Sequence, residues 1–380
     1  MKVAMIFPEK LPLKKARSIS YLNTCVALSR LMNITLFIPK ESLNKKELEK
    51  FYGVDLNNVN IKYIPANIWK IRSNKIFNHF LKKHIAYFDF FYVRHLKIAK
   101  FLVNNKAPNQ KVIFEAHEIF FKALEEESPD KLKKISQLKK LESYVYSKVN
   151  GIVFINKTLQ KQFHKTFKNL SSFQKIIYLS NSFKCPYQKK DFSIIEKFYY
   201  CGNLFKWKGI EDLILTMKSF PTINLVIIGG SYSRIVELSN FAKKQGIKNI
   251  KFLGYRPPYE IKKVLLKESK IAFLTNSRSV YNFFTFPLKL LDYMITSNVV
   301  IAADIPAVKE IIIDGKNGFL FKTGDISSLV EVIKKVINMS PEKLLEISQN
   351  AYATAKNFTY ENRAKNIYNF LKTILENDNQ

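Results

Sequence analysis

The chain has 380 residues, 47% of them hydrophobic and few of them Gly or Pro, which excludes disorder and exceeds one ordinary core. Lys and Arg number 62 against 31 Asp and Glu, a formal charge of +31, and residues 1–185 hold 34 of the bases against 13 acids. Such a surface attracts phosphates, nucleic acid or anionic lipid, unless the lysines merely solvate helix faces. In chain order, short apolar runs predict strands at 3–7, 35–38, 61–64, 90–93, 112–114, 152–154 and 176–179. Helical patterns such as 18–31, 76–83, 132–148 and 157–167 lie between them. Periodicity lapses over 181–190, which reads as a linker. A second series follows, with strands at 198–201, 225–228, 251–253, 271–274, 299–302 and 318–321, and the run 311–313 also reads as buried strand. Its helices begin near Ile210, Arg234, Tyr259, Leu288, Ser327, Pro341 and Tyr360. Strand–helix alternation from end to end predicts an α/β protein of two Rossmann-like domains facing across a cleft, with ligand at the carboxyl ends of the strands.

No apolar run approaches the roughly 20 residues of a membrane span. The first residues pattern as a strand and lack the apolar core of a signal peptide. Cys25, Cys185 and Cys201 stand far apart in no metal or redox spacing. A cytoplasmic protein without a bound metal or cofactor is expected.

Two stretches carry chemistry. In Thr285-Phe286-Pro287-Leu288-Lys289-Leu290-Leu291-Asp292, a helix opens at Pro287 after a polar loop, aiming free N–H groups and a positive dipole end at a ligand. That geometry suits a diphosphate, with Asp292 one and a half turns on to accept from a ribose diol. In Gly202-Asn203-Leu204-Phe205-Lys206-Trp207-Lys208-Gly209, a strand leaves through glycine and Lys208 offers a point charge at the next helix start. Either stretch by itself is an ordinary strand-to-helix turn.

Taken in order with Leu225-Val226-Ile227-Ile228-Gly229, Phe252-Leu253-Gly254 and Asp314-Gly315-x-Asn317-Gly318, these landmarks resemble the donor domain of family 4 glycosyltransferases. The resemblance is close over about 197–340 and looser before. It implies a GT-B fold with an acceptor-side domain over 1–184, a nucleotide-sugar domain over 185–357 and a terminal helix, 358–380, packing back on the first. It further implies that Lys208 binds the donor diphosphate, Asp292 the ribose, the loop Thr285 to Leu288 the phosphate, and Tyr255-Arg256 the base. Asn203 stands where many members have arginine, and Phe284 where they have a glutamate. The expected partners are a nucleotide sugar and a glycan or lipid-linked acceptor, with retention of configuration, in capsule, lipopolysaccharide or other surface-glycan assembly. A sugar-nucleotide epimerase or an inactive subunit on the same fold is the alternative.

In the first half, Glu115-Ala116-His117-Glu118 follows a strand, and the resemblance makes His117 the catalytic candidate; a structural, hydrogen-bonded histidine is the other reading. Arg94-His95 is a second strand-end pair. The loop from Pro8 to Ser18, with Lys14, Lys15 and Arg17, suits an anionic acceptor or simple solvation. No acid occurs from Leu56 to Phe88, where residues 68–83 mix aromatics with cations. A basic helix there, peripheral on an anionic membrane, competes with a core helix whose lysines are solvated. Nucleic-acid binding has charge in its favour but no motif, and is not expected.

Overall fold

The computed structural model describes residues 1–13, 15–68, 71–279, 282 and 286–378. The chain forms two compact units, Met1–Leu179 with Tyr360–Gln380, and Ser180–Thr359.

The first unit runs β1 (Lys2–Ile6), α1 (Ala16–Ser29), β2 (Asn33–Pro39), α2 (Lys45–Tyr52) and β3 (Asn60–Ile64). A hairpin, β4 (Asn67–Ile68) and β5 (Ile71–Arg72), leads to α3 (Asn74–Lys82). Then come β6 (Phe90–Val93), α4 (Leu96–Asn105), β7 (Lys111–Ala116), α5 (Phe120–Glu127), α6 (Leu132–Lys148), β8 (Gly151–Phe154), α7 (Lys157–Thr166) and β9 (Gln174–Ile176). Seven of these strands form one parallel sheet, ordered β3-β2-β1-β6-β7-β8-β9. The order reverses between β1 and β6, where connections run outward in both directions.

The second unit runs β10 (Lys197–Cys201), α8 (Ile210–Thr216), β11 (Asn224–Ile228), α9 (Tyr232–Lys244), β12 (Ile250–Gly254), α10 (Pro258–Lys267) and β13 (Ile271–Leu274). It continues with α11 (Leu288–Ile295), β14 (Val299–Ala303), α12 (Pro306–Lys309), β15 (Phe319–Phe321), α13 (Ile326–Ile337) and α14 (Pro341–Ala355). Its parallel sheet is ordered β12-β11-β10-β13-β14-β15 and reverses between β10 and β13. The last helix, α15 (Tyr360–Asp378), returns to the first unit. Its Ala364, Ile367, Leu371 and Ile374 join one core with Leu22, Cys25, Val3 and Met5. Both units are thus doubly wound Rossmann-like domains, the architecture of the GT-B fold.

The helix expected at 76–83 forms as α3, and ahead of it Asn67 pairs with Arg72 and Ile68 with Ile71 in a hairpin. Within α3, Phe77 and Leu81 are buried while Lys75, Lys82 and Lys83 remain exposed, so its buried face belongs to the core. Trp69 and Lys70 lie outside the described residues. The run 311–313 is a turn with Ile313 exposed, not a strand. Residues 181–190 carry no regular structure, yet they are no loose linker. Asn181 is buried and bonds Ala355 O, and buried Lys190 donates to the carbonyls of Leu265 and Ser269 and, at 3.0 Å, to Asn298 Oδ1. Three acceptors match the three protons of an ammonium, which fastens the segment to its unit. Among the described residues, no helix is long and apolar enough to cross a membrane.

Candidate active site

In an open parallel sheet the strands on either side of the reversal send their loops apart, leaving a crevice at their carboxyl ends. In the second unit that crevice lies between the loop after β10 and the loop that enters α11. The first loop holds Gly202, Asn203 and Lys208; the second holds Phe286 and Pro287 and leads into Leu288 and Lys289, the first residues of α11. Thr285, also expected here, lies outside the described residues, as does Phe284.

Lys289 and Gly202 explain one another. Gly202 has φ +149°, and a methyl group there would land on the Lys289 ammonium. Lys289 Nζ sits 4.8 Å from the centre of the Tyr200 ring and 3.3 Å from its hydroxyl. Tyr200 in turn donates to Asn203 O at 2.9 Å, fixing the turn. Gly229 closes the floor, for its backbone packs against the Gly202 carbonyl too closely for any side chain. At the end of the loop, Gly209 has φ +64°, and a Cβ would strike the Thr275 carbonyl. Thr275 Oγ1 donates to Lys208 O at 2.9 Å, joining the two loops.

Lys208 Nζ lies 3.8 Å above the Trp207 ring. Burial, and then the nearby charge of Lys289, push its pKa well below the ordinary lysine range. Burial likewise lowers Lys289 to about 8, against the opposing pull of Cys201 and Asp292. Two cations therefore share a half-buried place with too little compensating charge, as an anion-binding site requires.

Pro287 is the N-cap of α11, with φ −80° and ψ 90°, and not its first helical residue; Leu288 is. An extended proline still leaves the first-turn amides of α11 without a capping side chain. Asp292 is half-buried and accepts from the Ser182 N–H at 2.6 Å through Oδ1. Burial raises its pKa to about 7, partly offset by that bond and by Lys289. Tyr255 is exposed, and Arg256, also exposed, pairs with Glu260 at 3.8 Å.

In the first unit, β7 delivers Glu115, fully buried, to a centre that sequence reading missed. Its Oε1 meets Arg94 Nη2 at 2.7 Å and His117 Nε2 at 2.6 Å; its Oε2 meets Arg363 Nη2 at 2.6 Å and the Tyr92 hydroxyl. Burial alone would raise the Glu115 pKa, but Arg363 and Arg94 hold it well below the usual carboxylate range. A carboxylate at Nε2 fixes the proton there and leaves Nδ1 of the neutral ring as an acceptor. Burial and then Arg94 lower the His117 pKa to about 4, so the ring is neutral near pH 7 despite its carboxylate partner. The signal in the sequence was the i, i+2 spacing of Glu115 and His117, which puts both on one face of an extended strand. Glu118, the neighbour of His117, is raised by burial and by Glu127.

Residues 191–354, all in the second unit, match the family model of glycosyl transferases group 1. They form a group 1 glycosyltransferase domain. The cationic crevice at the reversal of its sheet lies inside this glycosyltransferase domain. The chain is 27% identical over 281 residues to an uncharacterized glycosyltransferase of Methanocaldococcus jannaschii, covering 70% of this chain and 67% of that protein. A second uncharacterized glycosyltransferase of the same organism is 25% identical over 219 residues, 57% of this chain and 58% of the relative. The matched chain thus spans 58% and 67% of these two relatives' lengths. Among solved structures, Anabaena HepE in complex with UDP superposes with a TM-score of 0.76 at 15% identity, covering 98% of this chain and 100% of that one. At that identity the likeness is one of fold.

Proposed function

We propose that the protein transfers a sugar, with retention, from a UDP-sugar to a glycan or lipid-linked glycan acceptor in surface-polysaccharide assembly. The observation that carries the reading is the glycine-floored crevice at the β10/β13 reversal, where Lys208 and Lys289 crowd with too little counter-charge. Its place in a glycosyltransferase domain supports a nucleotide diphosphate as the missing anion, and the UDP bound by HepE supports uridine as its base. The α11 amides and Lys208 hold the diphosphate, and the remaining oxygen of Asp292 accepts from the ribose. Tyr255 flanks the base.

In the reaction the acceptor oxygen bonds to the anomeric carbon as the bond from that carbon to the diphosphate breaks. The acceptor proton passes to a departing phosphate oxygen, and UDP leaves. His117, neutral and fixed by Glu115, accepts a hydrogen bond from a sugar hydroxyl through Nδ1. Replacement His117→Ala is expected to lower kcat by roughly ten- to a hundredfold, the worth of one well-placed polar contact, with the thermal shift induced by UDP retained. Steady-state assay of UDP release with and without acceptor tests this. An unchanged kcat removes His117 from the reaction, and UDP-sugar converted without acceptor points to an epimerase.

Lys75, Lys82 and Lys83 on α3, with exposed Tyr87 beyond it, support peripheral attachment at the inner membrane face. Flotation with anionic vesicles is expected to carry the protein at low ionic strength. No recovery with anionic vesicles would count against attachment, and equal recovery with neutral vesicles against a part for the lysines.

A further inference from the structure

The first sheet also reverses, between β1 and β6, and beside that reversal lies a cavity of about 830 Å³. Pro8 and Glu9 border it from the end of β1, His95 from the end of β6, and Gln137 and Leu141 of α6 form a wall. The volume falls in the range of small-molecule sites, about 300–1,000 Å³.

Its charge is one-sided. Lys75 of α3 and Lys97 and Lys100 of α4 line it. Glu9, the single carboxylate among its described lining residues, is already bonded to Arg17. Both helices begin at the cavity, for Ser73 caps α3 and His95 is the N-cap of α4, and both line it. Neither has an acid in its first turn, and α4 has no capping side-chain bond. A solvated lysine face explains exposed ammoniums on a convex helix. It does not explain three of them around a concavity at the one place where a doubly wound sheet opens a crevice.

We propose that this cavity binds the phosphate or diphosphate group of the acceptor, so that the acceptor is a phosphorylated sugar or a sugar on a lipid diphosphate. Lys75, Lys97 and Lys100 supply the countercharge, and the first-turn amides of α4 supply the donors. The inference rests on the transferase reading above and adds the chemical class of its second substrate.

The test uses the whole protein saturated with UDP, so that the donor crevice is filled, and titrates inorganic pyrophosphate by calorimetry. Wild type is expected to bind it. The triple variant Lys75→Ala, Lys97→Ala, Lys100→Ala is expected to bind roughly ten- to a hundredfold more weakly while keeping its UDP-induced thermal shift. That retained shift shows that the variant is folded. Pyrophosphate that fails to bind UDP-saturated wild type, or binds the triple variant equally well, overturns the proposal. A wild type that does not bind UDP instead defeats the transferase reading. Glucose 1-phosphate and a short prenyl diphosphate, titrated in parallel, separate a soluble sugar phosphate from a lipid-linked one by which binds more tightly.

Discussion

Replacing Arg363 by methionine is expected to destabilise the first unit by about 3–5 kcal/mol, the cost of taking one partner from a buried ion-pair cluster. For a domain of about 200 residues this lowers its melting temperature by roughly 6–20 °C. Arg363 is 2% exposed and meets Glu115, itself 1% exposed, so no water replaces the lost guanidinium. The same side chain donates to the carbonyls of Ile177 at 2.9 Å and Tyr178 at 2.8 Å, which would also lose a partner. Calorimetric melting of wild type, Arg363→Met, Glu115→Leu and the double variant gives the coupling directly. The double variant should recover part of the loss, because Glu115 is no longer buried short of countercharge, although Arg94 then loses its carboxylate. A single variant melting within a degree or two of wild type would show that the pair carries little of the fold. The pH dependence has a definite sign. Glu115 is held below its unfolded pKa, so its contribution is complete above about pH 4.5 and disappears as pH falls through the depressed folded value.

The second large effect concerns the donor crevice. Lys208→Ala is expected to weaken UDP binding about ten- to a hundredfold, the loss of a charge-assisted contact to phosphate. Because burial depresses both lysines, and the charge of Lys289 depresses Lys208 further, UDP binding should raise their pKa values and draw protons from solution. Calorimetry at one pH in buffers of different ionisation enthalpy measures that uptake. Lys289 titrates near 8 in the free protein, so its contribution to affinity is full below that pH and falls above it by up to tenfold per unit. Proton uptake of zero, with affinity flat from pH 7 to 9, would mean that neither lysine meets the diphosphate.

Much of this architecture was readable beforehand because parallel strands buried on both faces write themselves as unbroken apolar runs. Residues 225–228 and 90–93 are buried throughout, and the strands fall there. The reading failed where that cause is absent. Strand β9 lies at a sheet edge with Lys175 exposed, so the more apolar run 176–179 reads as the strand in its place. The run 311–313 is apolar but too short to distinguish a strand from a turn beside the core. In the crevice, Gly202, Lys208 and Lys289 were legible because each lies within a few residues of a strand end or helix start. The parking of Lys289 over Gly202 was not, since it brings together a loop and a helix start 87 residues apart. Arg363 left still less trace. It lies in the amphipathic pattern of α15, 248 residues from Glu115, and nothing local marks a charged residue there as buried.

The division of the chain bears on the order in which a ribosome can deliver a folded product. The second unit is one continuous segment, complete once Thr359 is outside the exit tunnel. The first, though begun earlier, lacks α15 until Tyr360–Asp378 has emerged, and with it Arg363, Ile367, Leu371 and Ile374 from its core. Synthesis usually lets the N-terminal domain fold first. Here the second unit is free to fold while its predecessor waits, with Glu115 lacking one of its two guanidinium partners and one face of its core uncovered.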